Sequence, residues 1–166
     1  MKHMKVRLQQ ALVYIIGFAL CFLIMSQAYA QTSYAQTPTQ AIKAKDGAVC
    51  AASFDDAIKV NIRPELRSTL APYVAAIRYA ENGRAGREYG ILHPRVDPTY
   101  RSQAGWCAAT VQKNWDRWKK AGAKGEFVVY LGGRYCPLSD PRDKDKLNRH
   151  WIPNVKKFQK RFASKP

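Results

Sequence analysis

The chain has 166 residues, with 28 lysines and arginines against 12 acids and a formal net charge of +16 at pH 7. That length holds one small domain with a single core, and no internal repeat is present. The basic balance points to polyanions as partners, but no helix-turn-helix spacing, zinc-finger spacing or aromatic RNA-binding signature occurs, so no nucleic-acid partner is expected.

Residues 1–30 read as a cleaved signal peptide. Lys2, Lys5 and Arg7 form a positive start, Ala11 to Met25 is almost wholly apolar, and Ala28-Tyr29-Ala30 offers small residues at the positions a signal peptidase reads. The expected destination is the periplasm or the exterior, with membrane contact only through an uncleaved signal. Leu20 precedes Cys21 where a lipoprotein signal needs a small residue, so lipidation is not expected. Cleavage after Ala30 removes three positive charges and no acid, leaving +13. In that compartment the available polyanions are cell-wall carboxylates, teichoic or lipopolysaccharide phosphates and anionic lipid. Lys119, Lys120, Lys124, Lys156, Lys157, Lys160 and Arg161 are expected on outer faces, attracting such polymers. Residues 31–52 are rich in Gln, Thr and Ala with few apolar anchors and read as a flexible linker. The folded domain is expected over 53–166.

The first helix is expected over Pro72 to Glu81, broken from what precedes it near Ala71 because Pro72 suits a first turn. Leu66, Leu70, Val74, Ile77 and Glu81 recur at spacings of four, four, three and four, one face at 3.6 residues per turn. A carboxylate therefore continues an apolar stripe, and Asn82-Gly83 ends the helix directly after it. Gly83, Gly86 and Gly90 then mark a loop or short hairpin that lines a cleft. Thr99 or Asp97 caps the next helix, with Ala104, Cys107, Ala108, Val111, Trp115 and Trp118 inward until Gly122. Glu126 to Tyr135 has strand-like composition but helical spacing, and is read as helix. The last helix spans about Leu147 to Phe162, with Leu147, Trp151, Val155, Phe158 and Phe162 inward and Pro153 near its opening. The fold class is mainly α with little or no sheet.

The chemistry centres on Glu81. Burial raises a carboxyl pKa, and an acid kept protonated near neutral pH is what general-acid cleavage of a glycosidic bond requires. Glu88 is the only nearby second acid. With Arg84, Arg87 and Arg101 around it, it reads first as a salt-bridge partner and second as a catalytic group. Tyr89, Tyr100, Trp106, Tyr135 and Trp151 can stack on pyranose rings; Tyr89 and Tyr135 are the cleft candidates, Trp106 and Trp151 are open, and Trp115 and Trp118 are assigned to packing. His93 and His150 read as surface residues. Of Cys50, Cys107 and Cys136, the pair Cys107–Cys136 is favoured as a disulfide among three pairings. Neither a C-x-x-C nor a paired-His spacing exists, so no metal and no cofactor is expected.

The run Ala76-Ile77-Arg78-Tyr79-Ala80-Glu81-Asn82-Gly83, followed by Gly86-Arg87-Glu88-Tyr89-Gly90-Ile91-Leu92, resembles the catalytic stretch of the lysozyme-like superfamily, especially its lytic transglycosylase branch. In that branch a helix ends in the catalytic glutamate and a Gly-Leu-Met-Gln-like motif lines the cleft; Gly90-Ile91-Leu92-His93 stands in that place here. The stretches Ala104 to Trp118, Phe127 to Pro137 and Leu147 to Phe162 look like a group of uncharacterised exported or phage-associated proteins with a lysozyme-like domain. Asn82 and His93 depart from the Ser and Gln usual at those positions. The resemblance implies a small lysozyme-like helical domain that cuts the β-1,4 bond between N-acetylmuramic acid and N-acetylglucosamine in peptidoglycan glycan strands. Glu81 is then the acid, with Tyr89, Gly90, Tyr135 and Trp151 against the sugar. The alternative is a non-catalytic basic protein that binds the wall or envelope on the same scaffold.

Overall fold

The structure is a computed structural model that describes residues 36–81 and 83–163. The signal peptide expected over 1–30, and the side chain of Asn82, lie outside the described residues. Among the described residues there are six α-helices and no strand, so the protein is mainly α. The helices are α1 (Pro38–Asp46), α2 (Ala48–Asn61), α3 (Arg67–Glu81), α4 (Tyr100–Lys120), α5 (Phe127–Tyr135) and α6 (Trp151–Phe162). Short 3₁₀ turns at Pro64–Leu66 and Leu147–His150 precede α3 and α6.

The stretch expected to be a linker is helical from Pro38 onward. Thr37 caps α1: its hydroxyl accepts from Gln40 N and the Gln40 side chain accepts from Thr37 N, a reciprocal capping box. Ala41, Ile42 and Ala51 then enter the core beside Phe54 of the expected domain. The sparse apolar residues of this stretch fall at helical spacing, so a low apolar content still provides a buried stripe.

Helix α3 is the centre of the domain. Val74, Ala75, Ala76 and Ile77 are consecutive and all fully buried, which requires neighbours on every side. α6 is its principal partner, α4 and α1 flank it, and α2 packs on α4. Pro72 does not break α3; it sits inside the helix, and the 3₁₀ turn at Pro64–Leu66 starts the spiral earlier than expected. Thr99 caps α4 by accepting from Ser102 N, and Ala104, Cys107, Ala108 and Val111 form its inner stripe as the spacing predicts. In α6, Trp151, Val155 and Phe162 are buried, whereas Leu147 is 63 % exposed on the preceding turn. Leu147 departs from expectation because the 3₁₀ turn rotates it off the α6 stripe.

Trp115 and Trp118 pack on Phe127, with ring centroids 4.9 and 5.5 Å away, in agreement with their assignment to packing. Lys119, Lys120, Lys124, Lys157, Lys160 and Arg161 are exposed; Lys156 is half-buried and paired with Glu126 at 2.7 Å.

Candidate active site

Glu81 ends α3 and is partly buried. Its Oε1 accepts a 2.7 Å hydrogen bond from the indole Nε1–H of Trp151, the first residue of α6. Its Oε2 lies against Gly90, where an added Cβ would fall on the carboxylate, 2.5 Å from Cδ. Gly90 also has φ +68°, so both space and backbone require glycine there. Trp151 is held in turn by Tyr135, whose ring stacks on it at 5.3 Å, and by Gly132 of α5. A Cβ at Gly132 would meet Ile152 at 2.5 Å and Trp151 at 3.3 Å, so this glycine lets α5 and α6 close around the indole.

Burial raises the Glu81 carboxyl above its ordinary value, and the Trp151 hydrogen bond, which favours the charged form, opposes that shift. No basic side chain pairs with Glu81 among the described residues. Its negative charge acts outward on its surroundings, adding to the burial that pushes up the Cys107 thiol and the Tyr135 hydroxyl. The Cys136 thiol, raised to about 12, responds to burial first and to Glu81 second.

The loop from Gly83 to Pro98 is shaped by side chains of the helices beneath it. Gln103 is 1 % exposed and clamps Ile91, accepting from its N at 3.3 Å and donating to its O at 3.0 Å. Tyr135 donates to Tyr89 O at 2.6 Å. Below them, Asp46 of α1 binds Arg78 of α3 through both oxygens at 2.7 and 2.8 Å, and Tyr100 donates to Asp46 at 3.0 Å and meets the Tyr89 hydroxyl at 3.0 Å. Arg78 also donates to Glu88 O at 3.4 Å. This buried network joins the helix that carries Glu81 to the loop that packs on it.

Several site expectations are revised. Tyr89 is fully buried with its hydroxyl on Tyr100, so it cannot stack on a sugar; it forms the wall behind the loop. Trp151 is 5 % exposed, and its polar edge serves Glu81 instead of a ligand. The hydroxyl of half-buried Tyr135 is committed to Tyr89 O. Gly90 contacts the acid itself. Glu88 forms no ion pair with Arg84, Arg87 or Arg101: its Oε1 accepts from Gly86 N at 2.9 Å, and Arg101 lies 3.6 Å from Asp56. Cys107 and Cys136 are free thiols and not a disulfide; Cys136 Sγ donates to Asn148 Oδ1 at 2.9 Å.

Gln103, Asp46 and Arg78 join the site beyond the residues that the sequence pattern marks. Gln103 carried the signal that marked Glu81, a polar residue on an inner helical stripe, since it precedes Cys107 by four. His93 is exposed as expected, and its ring stacks on Trp106 at 4.9 Å and 24°. Trp106 is 38 % exposed, and the pair stands three residues along the loop from Gly90. Among the described residues no group of three or more His, Cys, Asp or Glu side chains is placed to hold a metal ion. No family profile, curated protein sequence or solved structure matches the chain.

Proposed function

We propose that the protein is an exported, lysozyme-like enzyme that cleaves the β-1,4 bond between N-acetylmuramic acid and N-acetylglucosamine in peptidoglycan. The observation that carries this reading is Glu81: an acid at the end of the central helix, raised by burial, with no cation paired to it among the described residues, and oriented by Trp151 and Gly90. A carboxyl so placed stays protonated to higher pH and delivers its proton to a leaving oxygen from a fixed position. The exposed His93–Trp106 pair supplies the flat face on which a pyranose ring stacks.

The mechanism assigned is that of a one-acid lytic transglycosylase. A hydrolase needs a second carboxylate on the same bond, at about 5 to 5.5 Å for retention or 6.5 to 9.5 Å for inversion. Glu88 Oε1 accepts from Gly86 N at 2.9 Å within its own loop, which supports a single acid that protonates the leaving oxygen and then acts as base. Products should carry 1,6-anhydro ends, and Glu88→Gln should keep most of the activity. Mass spectrometry of released fragments tests this; reducing ends together with an inactive Glu88→Gln protein would establish a two-carboxylate hydrolase.

One observation favours the rival, a non-catalytic basic envelope-binding protein. Tyr89, Trp151 and Tyr135 are spent on internal packing and hydrogen bonds, which leaves fewer rings for sugar than the sequence offered.

A further inference from the structure

The start of α3 is remote from the acid at its end. Tyr73 precedes Glu81 by eight residues and Ser68 by thirteen, which is about 12 and 20 Å along the helix axis. Residues of α3, α4, α5 and α6 line a pocket there of about 580 Å³, within the roughly 300 to 1,000 Å³ of small-molecule sites. Its wall is aromatic, formed by Tyr73, Trp115, Trp118 and Phe127. Phe127 is buried, whereas Tyr73 and both indoles pack on it and still remain only half-buried. Lys119 lies over the Trp118 ring at 5.9 Å but does not line the pocket.

These rings are held in fixed positions. The Trp115 and Trp118 ring centres are 5.0 Å apart, and Trp118 Nε1 donates to Lys124 O at 3.2 Å. The turn that receives this bond is itself tied to Trp118, whose backbone O accepts from Ala123 N at 2.9 Å. Ala123 has φ +53°, a left-handed conformation uncommon outside glycine. The turn brings Gly125 and Glu126 to the pocket, where Lys156 Nζ donates to both Glu126 carboxylate oxygens at 2.7 Å. Gln159 of α6 adds an amide to this polar rim. The Tyr73 hydroxyl forms no hydrogen bond among the described residues, although a buried tyrosine hydroxyl ordinarily finds a partner.

We infer that this pocket binds a pyranose ring of a glycan strand, as a second sugar site separate from the one at Glu81. A pyranose has apolar C–H faces and a rim of hydroxyls, so it pairs with fixed aromatic rings on one side and with carboxylate, amide and phenol groups around them. A quaternary ammonium would also suit the rings, but Lys156 and Lys160 line the pocket and Glu126 is already paired with Lys156. A wholly apolar ligand would strip water from Glu126, Gln159 and the Tyr73 hydroxyl without replacing its hydrogen bonds. The inference is independent of catalysis at Glu81 and holds equally for an inactive envelope-binding protein.

Titration of the whole protein with the N-acetylglucosamine trimer, which contains no N-acetylmuramic bond, tests it through the indole Nε1–H signals in nitrogen-15 NMR. The Trp115 and Trp118 signals should move together along one saturable curve. Trp118→Leu removes a stacking face and should weaken the Trp115 curve about tenfold or more. Gln159→Ala and Tyr73→Phe, which remove single hydrogen-bonding groups at the pocket, should each weaken it about threefold. Trp106→Ala takes a ring from the other site and should leave the Trp118 curve within about twofold, so failure of the pocket and failure of the Glu81 reading are told apart. Circular dichroism and the melting temperature establish that each variant is folded; if Trp118→Leu is not, the two milder variants decide. Unmoved Trp115 and Trp118 signals, a response lost in Trp106→Ala, undiminished binding by both Gln159→Ala and Tyr73→Phe, or an equal response to choline would overturn the inference.

Discussion

Replacing Trp151 by Phe keeps a ring against Tyr135 but removes the Nε1–H that Glu81 Oε1 accepts at 2.7 Å. That bond favours the ionised carboxyl and opposes the upward shift caused by burial, so its loss leaves burial unopposed. A hydrogen bond to a charged group contributes about 1.5 to 3 kcal/mol, and one pKa unit corresponds to about 1.36 kcal/mol. The Glu81 pKa should therefore rise further above its ordinary value. A general acid works in its protonated form, so activity is lost as pH climbs through its pKa, and the alkaline limb of the kcat/KM profile on peptidoglycan should move up by the same amount. Carbon-13 NMR of the Glu81 carboxyl gives the same titration without substrate. An unmoved limb and an unmoved carboxyl titration, or a shift to lower pH in both, would refute the assignment of Trp151 as the donor that restrains Glu81.

Gly90→Ala places a Cβ on the Glu81 carboxylate at φ +68°, so activity should drop at least tenfold and stability by about 1 to 3 kcal/mol, read from fragment release and denaturant midpoints. Arg78→Met leaves Asp46 buried without its cation and should cost about 3 to 5 kcal/mol. The double change with Asp46→Asn should recover part of that loss; a single-variant cost below about 1 kcal/mol would mean that Tyr100 alone satisfies Asp46.

The helical content was legible because α3 and α4 repeat apolar residues at helical spacing over several turns, and Thr99 announces its helix with a capping side chain. Glu81 was legible for the same reason, as an acid where the stripe calls for an apolar residue. The helical stretch from Pro38 to Ala52 was not, since its composition resembles a tether and only packing within the helical domain gives Ala41 and Ile42 a place to be buried. The roles of the aromatics were also hidden. Composition marks Tyr89, Tyr135 and Trp151 as rings, but whether a ring faces a ligand or a neighbouring carbonyl depends on partners 46 and 70 residues away in sequence. Asp46 and Arg78, 32 residues apart, are likewise a pair that only the tertiary fold creates.

Whether Glu81 is the catalytic acid is decided by release of soluble fragments from purified peptidoglycan by the Glu81→Gln variant. Because burial raises the folded-state pKa of Glu81, its contribution to stability is fully present below the unfolded carboxyl pKa and is lost as pH rises through the folded value. Glutamine carries no such penalty, so Glu81→Gln should be at least as stable as the parent protein at pH 7. Fragment release is expected from the parent protein and none from this stable variant. Undiminished release by Glu81→Gln, or no release by the parent protein, would contradict that role.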